Sequence, residues 1–336
     1  MIVDDSLTVR TVFSRLIERS EKMVLVATAR SAEHAIDLLA DNPVDVIVLD
    51  LEMPGMGGLN ALPRVLEVAK DAKVLVVSSL TQRGAEHTLA ALAMGATDTL
   101  PKPLAGQFDD AYRHQFLSRI LALGTVASPS PPRAARSRPG SRRPRKPIGL
   151  IAIGGSTGGI HALNTFLAEL PASFDLPITV TQHLPRSFMP VFCRQTAETA
   201  GRPAMIAHDG MKLRPGTVMI APGDRHLTLR KENDCMVARL SSTPAPSGCL
   251  PSVDPMLSSI ALATRGGALG IVLSGMGRDG LIGARELSEA GGTILAQDAH
   301  SSAVWGMPRA VTEAGIATEV LTPRALAQRI TELVPV

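Results

Sequence analysis

Residues 148–159, IGLIAIGGSTGG, constrain this chain more than any other stretch, because an apolar run there breaks into glycines that bracket one serine. Five of the seven residues from Ile148 to Gly154 are apolar, the composition of a strand buried on both faces. Ala162, Leu163, Phe166, Leu167 and Leu170 then recur at helical spacing, so the stretch predicts strand, tight turn and helix. A serine at such a turn projects its hydroxyl beyond the carboxyl end of a strand, where open α/β sheets gather ligands, and the amides opening the helix face whatever arrives. Three readings of Ser156 follow. Gly154, Ser156 and Gly158 fit the G-x-S-x-G nucleophile elbow, Gly154 and Gly159 fit the outer positions of the dinucleotide pattern G-x-G-x-x-G, and in the third reading the hydroxyl only caps the helix.

At 336 residues the chain has room for two domains, each with its own core. No apolar run approaches the roughly 20 residues of a membrane span, and no charged-then-apolar leader opens the sequence, so a cytoplasmic protein without membrane insertion is expected. Cys193, Cys235 and Cys249 are widely spaced and odd in number, which points to free structural thiols rather than a disulfide framework or a redox or zinc motif. The formal charge of +3 has a local origin, since residues 128–147 hold seven of the 34 Lys and Arg and no acid. Without those seven, 27 basic residues face 31 acidic ones. The folded parts are therefore mildly acidic, and with 3% aromatics they offer no stacking platform, so no nucleic acid is expected as a partner.

From Met1 to about Leu123, short β-branched runs alternate with helical stretches. MIV, MVLVATA, DVIVLDL, KVLVVSS and DTLP read as strands, with helices near 6–19, 32–39, 59–68 and 85–93 between them. That alternation predicts a doubly wound parallel sheet. Asp4, Asp5 and Asp50 fall at the ends of the first and third strands, where carboxylates converge and could hold Mg²⁺; Ser78 ends the fourth strand and Lys102 follows the fifth. The segments IVDDS, VIVLDLEMPGMGGL, VLVVSS and GATDTLPKP, in this order, resemble the receiver domain of bacterial response regulators, a flavodoxin-like fold. The resemblance implies that Asp50 takes a phosphoryl group from a histidine kinase, that Asp4 and Asp5 help Asp50 hold Mg²⁺, and that Ser78 and Lys102 act as the switch residues contacting the phosphoryl group. Thr99 stands where many receivers carry an aromatic residue, so an aromatic switch is not implied.

Residues 123–147 interrupt the pattern with TVASPSPPRAARSRPGSRRPRKP, a stretch rich in proline, serine and arginine that cannot bury enough surface to fold alone and is expected to tether two domains at 1–122 and 148–336. The second domain is again α/β. PITVTQHLP ends in His183, VMIAPGDRHL and CMVARL read as paired strands, ALGIVLSGMGRDG is a buried strand opening into a glycine loop with Asp279, and TILAQD and SSAVWGMPRAVTEAG read as a strand and a helix.

His183 discriminates between the readings of Ser156. A dinucleotide site expects an acid closing the next strand, about 20 residues on. This chain has a histidine there, 27 residues after the serine, placed to act as its general base. A triad also needs a carboxylate to orient the imidazole, and Asp279, in GMGRDG just beyond an apolar strand, is preferred over Asp209, Asp224, Asp254 and Asp298; His161, His208, His226 and His300 are the rival bases. The order Ser, His, Asp is not that of α/β-hydrolases.

IGGSTGG, TQHLP, APGDRHL, PSVDPML, GIVLSGMGRDG and QDAHSSAVWGMPRA together resemble the catalytic domain of the chemotaxis methylesterases, the CheB family, which joins a receiver to this domain through a linker. The resemblance implies hydrolysis of glutamate γ-methyl esters on methyl-accepting chemoreceptors with release of methanol, deamidation of receptor glutamines, and an oxyanion hole from the Thr157 and Met276 amides. A monomer, a chemotaxis histidine kinase as phosphodonor and no cofactor for the ester reaction are expected with it, and the two-domain layout leads to the expectation that the unphosphorylated receiver covers the serine cleft until Asp50 is phosphorylated. Two other function classes remain in view: a second domain that only binds, and a DNA-binding regulator acting through the arginine-rich linker.

Overall fold

The computed structural model describes residues 1–79, 81–103, 108–125 and 146–334. The chain divides into two compact units, Met1–Ala127 and Ser128–Val336. Most of the expected linker, 126–145, lies outside the described residues.

In the first unit five strands, β1 (Ile2–Val3), β2 (Thr28–Ala29), β3 (Val46–Asp50), β4 (Lys73–Ser78) and β5 (Asp98–Pro101), form one sheet in the order β2-β1-β3-β4-β5. Every pairing is parallel. Helices α1 (Leu7–Glu18), α2 (Ala32–Asp41), α3 (Gly57–Ala69), α4 (Gln82–Met94) and α5 (Asp110–Gly124) make the connections. Side-chain caps set several starts: Ser6 accepts from the Val9 amide, Ser31 from His34 and Thr81 from Gly84. All five residues of β3 are buried, as expected for a strand covered on both faces. The expected MVLVATA strand shrinks to two residues. Among the described residues its one neighbour is β1, itself two residues long, so Met23 to Val26 have no ladder to join, and Val24 is 84% exposed. The sheet order reverses direction at β1 and β3, which places Asp4, Asp5 and Asp50 at the switch point where ligands collect.

The second unit is built on a seven-stranded sheet, all parallel, comprising β6 (Ile151–Gly155), β7 (Ile178–Gln182), β8 (Ala204–Ile206), β9 (Val218–Ile220), β12 (Leu269–Val272), β13 (Thr293–Gln297) and β14 (Glu319–Leu321). Its order, β14-β13-β12-β6-β7-β9-β8, runs outward in both directions from β6. The crevice beyond the carboxyl ends of β6 and its neighbours is therefore the topological switch point, and Ser156 stands at its centre. Helices α6 (Gly159–Ala168), α7 (Met189–Ala200), α8 (Val253–Thr264), α9 (Leu281–Glu289), α10 (Met307–Glu313) and α11 (Pro323–Leu333) flank the sheet.

One expected pairing is corrected. VMIAPGDRHL is not a single strand: Val218–Ile220 joins the parallel sheet as β9 between β7 and β8, and only after Pro222 and Gly223 does the chain enter β10 (His226–Glu232), which forms an antiparallel hairpin with β11 (Cys235–Ser241). The proline and glycine end the first run. The hairpin is tied down at Leu229, whose amide donates to Ser259 Oγ on α8 at 2.9 Å. The expected helix at 301–315 is also shorter, since α10 starts at Met307 with Pro308 in its first turn, and Trp305 Nε1 donates to the Gln297 carbonyl at 3.0 Å.

Candidate active site

Ser156 follows β6 directly, and a set of close contacts holds its backbone. Its amide donates to the Ser274 carbonyl at 3.0 Å, and its carbonyl accepts from Gln182 Nε2 at 2.8 Å. Gly158 takes φ +74°, a conformation that costs an L-residue with a Cβ, and a Cβ there would also stand 2.4 Å from that of Ala303. Gly275, in the loop after β12, would carry a Cβ 2.8 Å from Ser156 Cβ, so only glycine lets that loop lie against the serine. The same loop is fixed by the Gly275 carbonyl, which accepts from Gly306 and Met307, and by the Gly275 amide, which donates to Val304.

His183 follows β7. Gly155 and Gln182 are directly paired across β6 and β7, so Ser156 and His183 are the next residues on adjacent parallel strands, and the His183 amide donates to the Gly155 carbonyl at 3.1 Å. The imidazole reaches Asp279, with Nε2 2.7 Å from Oδ2. Asp279 is 2% exposed and fully engaged: Ser252 Oγ donates to Oδ1 at 2.6 Å and the Val253 amide to Oδ2 at 2.7 Å. Burial by itself would raise its pKa, but the imidazole, the Ser252 hydroxyl and the Val253 amide outweigh burial and hold the carboxyl well below the usual carboxylate range. Burial likewise acts to lower the pKa of His183; the hydrogen bond to Asp279, assisted by the Cys249 sulfur, overcomes it and raises the imidazole to about 9. Asp254, held by the Gly283 amide at 2.9 Å, is pushed up to about 6 by burial and then by the nearby Asp279 charge. Among the described residues no hydrogen bond joins Ser156 Oγ to the imidazole. Thr157 is buried beside Ser156, with its carbonyl accepting from Ser274 Oγ at 2.7 Å, while Met276 is 42% exposed at the rim.

At the edge of the first sheet, Lys102 Nζ lies 2.6 Å from Asp50 Oδ2 and 3.2 Å from Asp4 Oδ2. Oxygens of Asp4, Asp5 and Asp50 all lie within 4.8 Å of one another. Asp4 and Asp50 are buried and Asp5 is exposed. Burial pushes the Asp50 carboxyl up to about 6 against the opposing hydrogen bond from Lys102. The Ser78 hydroxyl is turned toward α4, where it contacts Thr88 Oγ1 and the Gly84 carbonyl.

Residues 151–330 match the family model for the CheB methylesterase, and residues 1–108 match that for the response regulator receiver domain. The chain belongs to the CheB methylesterase family. It is similar to protein-glutamate methylesterase/protein-glutamine glutaminase 2 of Caulobacter vibrioides, 42% identical over 328 residues that cover 96% of this chain and 94% of that one. It is also similar to the protein-glutamate methylesterase/protein-glutamine glutaminase of Azospirillum brasilense, 38% identical across 96% of this chain and 89% of that one. Among solved structures, the CheB methylesterase catalytic domain of Thermotoga maritima aligns at a TM-score of 0.54 and 35% identity, covering 56% of this chain and 99% of that domain.

Within this CheB-family site the rival side chains have structural partners or lie apart. His226 is 1% exposed with both ring nitrogens occupied, by the Ser252 amide at 2.9 Å and the Thr243 carbonyl at 2.9 Å. His161, His208 and His300 are exposed. Asp224 pairs with Arg186, Asp209 with Arg239, and Asp298 accepts from the Ser301 amide and hydroxyl in its own turn. Four contributors escaped the reading of the sequence: Gln182, Ser252, Ser274 and Gly275. Ser252 lies in PSVDPML, a segment that stood out only through resemblance, and nothing in its spacing signals a bond to a carboxylate 27 residues away. Among the described residues no helix is long and apolar enough to cross a membrane.

Proposed function

We propose that Ser156, His183 and Asp279 carry out the methylesterase reaction of this family, with glutamate γ-methyl esters of methyl-accepting chemoreceptors as substrate. The observation that supports this most is the imidazole–carboxylate pair at 2.7 Å, on the residue directly across adjacent strands from Ser156. Asp279 occupies Nε2, which leaves Nδ1 as the basic nitrogen. Ser156 Oγ attacks the ester carbonyl while its proton passes to Nδ1, and a tetrahedral oxyanion forms. The imidazolium then protonates the departing methoxide, giving methanol and a glutamyl-serine ester. Water, deprotonated by the same nitrogen, cleaves that ester to glutamate and free serine. An oxyanion hole of the Thr157 and Met276 amides is part of this reading. Hydrogen bonds of this kind commonly tighten only when substrate is bound, so the missing bond between Ser156 and His183 does not count against the reading. Attack on a receptor glutamine runs through the same acyl-enzyme with ammonia as leaving group, the activity carried in the relatives' names.

For the receiver, Asp50 is the phosphoryl acceptor and a chemotaxis histidine kinase the donor. Three carboxylates within 4.8 Å, all oxygen donors, suit a hard divalent cation, so Asp4, Asp5 and Asp50 would hold Mg²⁺, which supplies charge neutralisation during phosphoryl transfer. Lys102, already against Asp50, stabilises charge on the phosphoryl oxygens. Ser78 must rotate away from Thr88 to meet them. The three free cysteines are in keeping with a cytoplasmic location. The test of the esterase reading is methanol release from methylated receptor membranes by Ser156→Ala with its circular dichroism unchanged. The reading predicts loss of release; release at the wild-type rate would remove Ser156 as the nucleophile.

A further inference from the structure

Cys249 is not needed by the ester reaction, yet it stands in the same crevice. Its Sγ, a ring nitrogen of His183 and a carboxylate oxygen of Asp279 lie within 4.8 Å of one another. The three side chains come from three separate segments, after β7, before α8 and after β12, and they converge on one point. A tetrahedral zinc ion holds nitrogen and oxygen at about 2.0 Å and sulfur at about 2.3 Å, so its ligand atoms stand roughly 3.3 to 3.5 Å apart. The His183–Asp279 pair, at 2.7 Å, is tighter than that and has to open by about half an ångström. Thiol, imidazole and carboxylate together select a borderline ion such as Zn²⁺ over Mg²⁺. Supporting contacts are already in place. Ser252 and Val253 hold the carboxylate, and the Cys249 backbone is tied by its amide, which donates to Ser247 Oγ at 3.3 Å.

We propose that Cys249, His183 and Asp279 form a Zn²⁺ site with a fourth position open to water, and that the bound ion silences the enzyme by occupying the histidine that Ser156 needs. Binding breaks the S–H bond of Cys249 and releases that proton, together with any proton on the ligating imidazole nitrogen, to solvent; no bond between heavy atoms is broken. The inference rests on where the three side chains sit, not on a catalytic role for two of them, so it can be read without turnover.

The full-length protein is titrated with Co²⁺ and then Zn²⁺ in excess Mg²⁺, which occupies the receiver carboxylates. One equivalent of a thiolate-to-cobalt charge-transfer band is expected, bleached by one equivalent of Zn²⁺, retained in Cys193→Ser/Cys235→Ser and absent in Cys249→Ala. Zn²⁺ is expected to slow methanol release by at least about tenfold relative to the metal-free rate of the wild type, and to leave the Cys249→Ala rate within about twofold of its own metal-free value. On the wild type, Zn²⁺ is also expected to slow iodoacetamide alkylation of Cys249, read on the modified peptide, by at least about tenfold. No cobalt band, a band surviving Cys249→Ala, equal inhibition of both proteins, or unslowed alkylation would overturn the site. A band that follows Cys249 in a protein that releases no methanol would instead count against the esterase reading alone.

Discussion

Asp50 and Asp279 are the same chemical group, almost fully buried, each at the carboxyl edge of a parallel sheet, and the protein drives them in opposite directions. Asp50 is pushed up to about 6, burial prevailing over its two donors, Lys102 and the Glu52 amide, with the Asp4 charge adding to the rise. Asp279 starts from a similar penalty and ends well below the ordinary range, because an imidazole, a hydroxyl and a backbone amide all point at it. The difference lies in the number of donors aimed at the carboxylate. On the roles proposed above, a carboxylate that is to form a bond to phosphorus keeps lone pairs available, whereas one that is to hold an imidazole stays ionised and saturated with donors.

Breaking the saturated site has the largest expected effect. Ser156→Ala or His183→Ala should each lower methanol release by roughly 10⁶-fold, the scale at which a triad acts as a unit. Asp279→Asn should cost about 10⁴-fold, since the imidazole loses both its tautomer and its counter-charge. The same substitution sharpens the contrast in a pH profile. In the wild type the base is active only when neutral, and its pKa is raised to about 9, so kcat/KM should rise about tenfold per pH unit and level off above about 9. In Asp279→Asn that limb should move to lower pH, because the group that favours the imidazolium is gone; an unmoved limb would assign the titration elsewhere.

Much of both sheets was legible in the residues because strands buried on both faces are runs of β-branched and aliphatic side chains, and parallel strands demand the helices between them. VIVLD, KVLVVS and ITVTQ read correctly for that reason. MVLVATA did not, since its ladder depends on a neighbour only two residues long. The triad candidates were legible as polar residues that end apolar strands. Ser252, Gln182 and Cys249 were not: each acts through a contact between distant segments that leaves no period or spacing in the chain. Cys249 is the sharpest case, a thiol read as structural that stands within reach of the base.

Smaller effects probe the donors and the other site. Ser252→Ala removes one charge-assisted hydrogen bond to Asp279 and should lower kcat by about 10-fold with KM little changed; an equal fall in thermal stability with kcat intact would make Ser252 a packing residue only. Asp50→Asn should abolish the response to a small phosphodonor, measured as the ratio of stimulated to unstimulated methanol release, which for the wild type should exceed unity by several-fold. A stimulated Asp50→Asn protein would place the acceptor elsewhere.

The most direct measurement of the central claim, that a hydroxyl and an imidazole on neighbouring strands work as one device, compares kcat for Ser156→Ala, His183→Ala and the double variant on the same methylated receptors. All three are expected to be reduced alike, within about threefold, because removing a second member of a unit costs almost nothing. Losses that multiply in the double variant, or a single variant within about tenfold of wild type, would contradict it.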